Sequence, residues 1–125
     1  MTENDISYKI RGAIFKVYNA FGPGLLESVY VAALENELIN EGLKVKKEVP
    51  VPVYYNNTKL EIGFRLDLLI ENKVIIEVKS VENLAEVHHK QVITYLKLTN
   101  LKLGILVNFN VDEIKSGIYR KVNGL

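Results

Sequence analysis

No cysteine occurs among the 125 residues. That excludes thiol nucleophiles, thiolate metal sites and disulfide frameworks together. It fits a reducing compartment, and a cytoplasmic location is the expectation. An excess of either charge is also missing: 16 basic residues face 15 acidic ones. A protein-wide pull toward nucleic acid or an anionic membrane is therefore excluded, and only a local basic patch stays open. No apolar run approaches the ~18 residues of a spanning helix. The start, "MTENDISYK", has no charged region followed by an apolar one, so no signal peptide is expected and no membrane contact either. "GPG" at Gly22–Gly24 lacks the continuation of a phosphate-binding loop. Ser28, Ser80 and Ser116 stand in no nucleophile elbow.

What is present is an ordinary globular composition, 48% apolar and 25% charged. With no repeat, low-complexity tract or linker, residues 1–125 read as one domain. Ile6, Ile10, Ala13, Ile14, Val17, Tyr18 and Phe21 recur at helical spacing, with Asn4 or Asp5 as the cap. A second helix carries Leu25, Leu26, Val29, Tyr30, Ala33, Leu34, Leu38 and Ile39, and should end at a left-handed Gly42. The period then changes to two. Val45, Val49, Val51 and Val53 alternate with polar residues, and Pro50 and Pro52 mark an edge strand. "NNT" at Asn56–Thr58 signals a turn. Two strands are predicted over 60–70 and 74–79, then a helix through Leu84, Val87, Val92, Leu96 and Leu98. "LKLGILVNF" reads as a buried strand, and "GIYRKV" as a short last one. The order is ααβββαβ with a final β, an α/β or α+β layered fold.

One stretch breaks its own pattern. In "FRLDLLIENKVIIEVKS", Phe64–Ser80, the charged Asp67, Glu77 and Lys79 lie among core-like residues. Strand alternation puts Glu77 and Lys79 on one face with Ile75, and Arg65, Asp67 and Leu69 on one face of the preceding strand. If Glu71-Asn72-Lys73 is a three-residue loop, Asp67 lies directly opposite Glu77, with Cβ atoms ~5 Å apart. A one-residue slip would separate them. Opposed carboxylates repel unless a cation sits between them. Lys79 supplies part of that charge, and a hard divalent ion such as Mg²⁺ would supply the rest. The plainer alternative is a solvated sheet face with one salt bridge. The flanking "LLI" and "VII" weigh against it, because they cover both sides of the hairpin.

Asp67 followed by Glu77-Val78-Lys79 resembles the signature of the PD-(D/E)XK nuclease superfamily, with Leu66 where the name has proline. "GPGLLESVY" supplies Gly24, Glu27 and Tyr30, a spacing that resembles the GxxExxY protein family within it. Similarity runs on through "EVPVPVYY", "FRLDLLI", "VIIEVKS", "HHKQVITYLKL" and "LGILVNF". The resemblance implies a restriction-endonuclease-like αβββαβ core with an extra N-terminal helix. It also implies Mg²⁺- or Mn²⁺-dependent cleavage of nucleic acid, DNA before RNA. Glu27, Asp67, Glu77 and the Val78 carbonyl would hold the metal, and Lys79 would position water or stabilise charge.

The outlying candidates each keep a structural reading beside the functional one. Glu27 in a first helical turn also complements the helix dipole. Tyr30 reads as packing with a tethered hydroxyl. His88, Gln91 and Tyr95 share one helical face. Q-x-x-x-Y resembles a motif bordering the site in related nucleases, whereas surface hydrogen bonding would equally place it. Arg65 would pair with an acid or receive a phosphate. The competing function is a catalytically silent module of the same fold that binds nucleic acid or a protein. Near-neutral charge and small size favour dependence on a partner or a homodimer.

Overall fold

In the computed structural model, which describes residues 1–125, Thr2 rather than Asn4 or Asp5 caps the first helix, α1 (Glu3–Phe21). Thr2 Oγ1 accepts the Asp5 N–H at 3.1 Å, and Asp5 Oδ2 accepts the Thr2 N–H at 3.0 Å. Asp5 is thus the reciprocal member of a capping box. Ile6, Ile10, Ala13, Ile14 and Val17 are buried, as the spacing predicts. Gly22 and Gly24 take φ of +66° and +100°, which ends the helix. The second helix, α2, spans Glu27–Asn40 and buries Tyr30, Val31, Leu34 and Leu38. Leu25 and Leu26 fall in the preceding turn and stay exposed with Val29 and Ile39, so the buried face is rotated from the expected stripe. Gly42 has the expected left-handed conformation, φ +83°.

The strand β1 (Val45–Val51) is followed by two short ones, β2 (Tyr54–Tyr55) and β3 (Thr58–Lys59). These form their own ribbon around Asn56 and Asn57, both with positive φ. The strand expected to begin near residue 60 therefore begins later, as β4 (Phe64–Ile70). It is followed by β5 (Val74–Lys79), the helix α3 (Glu86–Thr99), β6 (Leu103–Asn108), a 3₁₀ turn at Ile114–Gly117 and β7 (Ile118–Val122). The five-stranded sheet runs β1-β4-β5-β6-β7, with β5 and β6 parallel and the other neighbours antiparallel. The proline-bearing β1 is at the edge, where missing donors cost nothing. This is the αβββαβ order with α1 in front and β7 behind.

The sheet separates two apolar clusters. On one side α1 and α2 pack on Leu68, Ile70, Val74, Ile76, Val78 and alternate residues of β6. On the other, Leu96 of α3 packs with Val51, Leu66 and Ile75. The helix lies close there: a Cβ on Gly104 of β6 would stand 2.7 Å from Val92 Cγ1. Simple alternation fails along β4. Leu66 and Leu69 join the α3 cluster and Leu68 the opposite one, so the single face expected for Arg65, Asp67 and Leu69 does not hold. The same switch occurs on β1, where Val45 packs toward α2 and Val49 toward α3. Between them Glu48 has φ +53°, uncommon for a residue with a side chain. The β1–β4 ladder skips Glu48 and Asp67, passing from Lys47↔Leu68 to Val49↔Leu66. The face reversal of both strands is thus centred on Asp67.

Candidate active site

The loop Glu71-Asn72-Lys73 sets the register that brings the acids together. Glu71 and Asn72 have φ of +53° and +55°, Lys73 N–H donates to Ile70 C=O at 2.9 Å, and Ile70 pairs with Val74. The β4–β5 ladder ends at Leu68↔Ile76, one position before the acids. There the side chains take over the backbone donors. Asp67 N–H donates to Glu77 Oε1 at 3.2 Å, and Val78 N–H donates to Asp67 Oδ2 at 2.8 Å. Each carboxylate thereby satisfies an amide of the opposing strand that the parted ladder leaves unpaired.

Burial makes this pair unusual electrostatically. Glu77 is 7% exposed. Loss of hydration first, and the Asp67 charge second, push its carboxyl up to about 8, against an ordinary 4.5. Asp67 is also raised, chiefly by desolvation, although the Val78 N–H and contact with the Glu77 carboxyl counter it. Lost hydration thus raises both carboxyls, and Glu77, the more buried of the two, also feels the Asp67 charge. Lys79, half-buried on the same strand, lowers both through its charge, yet it belongs to none of the chain's ion pairs. Its ammonium is free for another anion.

Glu27 opens α2 and faces the end of β5. Its Oε2 accepts the Ser80 N–H at 3.3 Å, while Ser80 Oγ donates to Leu25 C=O at 2.6 Å. Its charge reaches Asp67 and raises it. Tyr30 explains the turn. Its ring is fully buried and stacked on Phe109 at 4.1 Å. Its hydroxyl donates to Gly22 C=O at 2.6 Å and accepts the Leu25 N–H at 3.1 Å, which clamps the glycine turn and so the start of α2. Tyr30→Phe leaves both backbone groups without that partner. It should lower stability by about 1–3 kcal/mol in urea unfolding, and an unchanged midpoint would mean water replaces the hydroxyl.

The α3 candidates separate. Tyr95 is half-buried and stacked on Phe64 at 4.2 Å. Desolvation, then the charges of Glu77 and Asp67, push its hydroxyl up, so it borders the acids. Gln91, one turn earlier on that helical face, is exposed. His88 is engaged locally. Its Nδ1 accepts the Ala85 N–H at 3.0 Å and serves the start of α3, where an unpaired donor needs it. Arg65 is exposed, with Nη1 3.9 Å from Glu48 Oε2, a loose surface pair.

Asp67 and Glu77 suit a hard cation, since one is half-buried and the other buried, and a positive charge relieves their mutual repulsion. The structure does not draw Glu27 with them into a single group of three metal-holding side chains. Three anions repel, and Glu27 is engaged by the Ser80 amide instead. Two contributors escaped the sequence reading. Ser80 ties β5 to α2. Asn108, 3% exposed at the end of β6, accepts from Val81 N–H at 3.0 Å and donates to Val81 C=O at 2.8 Å. It anchors the chain just beyond Lys79. A polar residue ending the apolar run "LGILV" was the available signal.

The crystal structure of SSO0001 matches this arrangement with a TM-score of 0.57 at 28% sequence identity, over 79% of this chain and 51% of that one. The present chain thus spans about half the length of SSO0001. No curated protein matches it. The family model of the PD-(D/E)XK nuclease superfamily matches residues 4–121, nearly the whole chain and every acid of the site. With the restriction-endonuclease-like mixed sheet and its Asp67…Glu77-Val78-Lys79 hairpin, the chain belongs to the PD-(D/E)XK nuclease superfamily.

Proposed function

We propose that this chain is a Mg²⁺- or Mn²⁺-dependent nuclease of the GxxExxY type that hydrolyses phosphodiester bonds in DNA. The observation that carries this reading is the half-buried Asp67 hydrogen-bonded across the hairpin from the buried Glu77, beside an ammonium, Lys79, that is in no ion pair. Asp67, Glu77 and the Val78 carbonyl would hold the ion, with Glu27 contributing directly or through water. A bound ion supplies Lewis-acid polarisation of the phosphate and a more acidic water. Lys79 orients the attacking water or meets the negative charge that develops on the phosphate oxygens. Tyr95 and Gln91 shape the wall from α3, with Arg65 reaching phosphate at the rim.

A second reading, a catalytically silent nuclease-fold module that binds nucleic acid or a protein, draws on a different observation. The acids are already engaged by backbone amides, and Glu27 stands apart from them. Calorimetric titration with Mn²⁺ separates the two. The nuclease reading expects saturable binding in the unsubstituted protein and its loss in Asp67→Ala. Equal heats from both proteins would leave the silent module.

A further inference from the structure

The β2–β3 ribbon is not required by the fold. The strands β1 and β4 pair as far as Val51↔Phe64, and two residues suffice to close such a hairpin. Residues 52–63 occupy that connection instead. They form a ribbon outside the main sheet, anchored where Leu60 N–H donates to Val53 C=O at 2.9 Å. Tyr54 is 61% exposed, Tyr55 68% and Ile62 81%. Alternation turns the two rings to opposite faces of the ribbon. Large apolar groups held in water forgo the stabilisation of burial, so this segment presents surface rather than building core.

Its location is specific. Because β4 runs antiparallel to β5, the Phe64 end of β4 lies beside the Lys79 end of β5. The ribbon therefore projects from the end of the sheet that carries the site. At its root is a cleft of about 440 Å³ walled by Pro50, Pro52 and Phe64, with Lys59 and Arg65 on its rim and Glu61 as the one acid. Phe64 also stacks on Tyr95, so one aromatic wall runs from the cleft to the acids. Flat apolar faces beside two cations match an unpaired nucleotide, which offers a base to stack and a phosphate to neutralise.

We propose that the β2–β3 ribbon is a stacking arm for a single-stranded flank of the substrate. Tyr54 and Tyr55 take its bases, and the cleft takes the nucleotide nearest the site, with Lys59 and Arg65 toward its phosphate. This rests on the nuclease reading and assigns that site a substrate with unpaired bases.

The test uses the full chain carrying Asp67→Ala, without metal, so that binding is read apart from cleavage. Fluorescence anisotropy compares a labelled oligothymidylate with a blunt duplex. Tyr54→Ala with Tyr55→Ala should weaken oligothymidylate binding about tenfold or more and leave duplex binding unchanged. Lys59→Ala should reduce the salt dependence by about one phosphate contact, a slope change of roughly 0.7. Circular dichroism melts matching the parent confirm that these exposed substitutions leave the fold intact. Unchanged oligothymidylate affinity, equal losses on both probes, or no binding by the parent overturns the arm, the last pointing to a protein partner for the tyrosines. Cleavage is then scored separately in the chain with Asp67 restored. Arm-dependent binding without cleavage overturns the nuclease reading alone, and duplex cleavage with arm-independent binding overturns the arm alone.

Discussion

Asp67→Ala and Lys79→Ala should each reduce Mn²⁺-dependent DNA cleavage by roughly 10²–10³-fold or more, the range seen when one preorganised charge-stabilising group is removed. The two substitutions act on different quantities. Asp67→Ala removes a carboxylate oxygen from the cation site and leaves the Val78 N–H unpaired, so it weakens ion binding together with cleavage. Lys79→Ala removes an ammonium that is in no ion pair. Mn²⁺ affinity should therefore survive, and even rise, because a positive neighbour has gone. Cleavage falls through loss of the water-positioning or charge-stabilising role alone. Nicking of a supercoiled plasmid over a Mn²⁺ series reads both effects. Robust cleavage by both purified variants would remove these residues from the mechanism.

The metal-free protein should lose stability as pH rises from about 5 to 9. The folded state holds the Glu77 carboxyl up at about 8, well above its ordinary 4.5. Between those values the folded chain binds a proton that the unfolded chain has released, so unfolding becomes easier as pH increases. The stabilisation is complete below the ordinary value and is lost through the folded one. At ~1.4 kcal/mol per tenfold change in proton affinity, the loss is on the order of 4 kcal/mol. Asp67, raised for the same reason, tilts the slope in the same direction. Urea unfolding in EDTA at the two pH values measures it. Glu77→Gln, which keeps the shape and removes the titration, should flatten most of the slope. Parallel pH profiles for Glu77→Gln and the unsubstituted protein would show that burial of this carboxyl is not the source.

The site shows how differently its parts could be read. The hairpin register was available because Glu71-Asn72-Lys73 is a short polar interruption between two apolar runs, and the observed Ile70↔Val74 pairing follows from it. The face assignment of β4 was not, because it assumed unbroken alternation. Both strands change sides of the sheet around Glu48 and Asp67, and β1 is far from Asp67 in sequence. His88 shows a related limit. Its helical face was correct, yet the unpaired Ala85 N–H that occupies it depends on where α3 begins. The ribbon was hidden by "NNT", a turn signal that does not say whether its flanks join the main sheet.

The sequence by itself determined the local order of helices and strands, the proline-marked edge, and the pairing of Asp67 with Glu77. These rest on periodicity, missing donors and loop length, all of which act over a few residues. Only the tertiary structure decided that Glu77 is buried and its carboxyl raised, that Tyr30 clamps the glycine turn, and that Glu27 is held by the Ser80 amide. It also decided that two tyrosines stand in water on a ribbon outside the main sheet. Burial and long-range hydrogen bonding depend on which elements pack together, and the electrostatics of a carboxylate pair depends on how much water that packing removes.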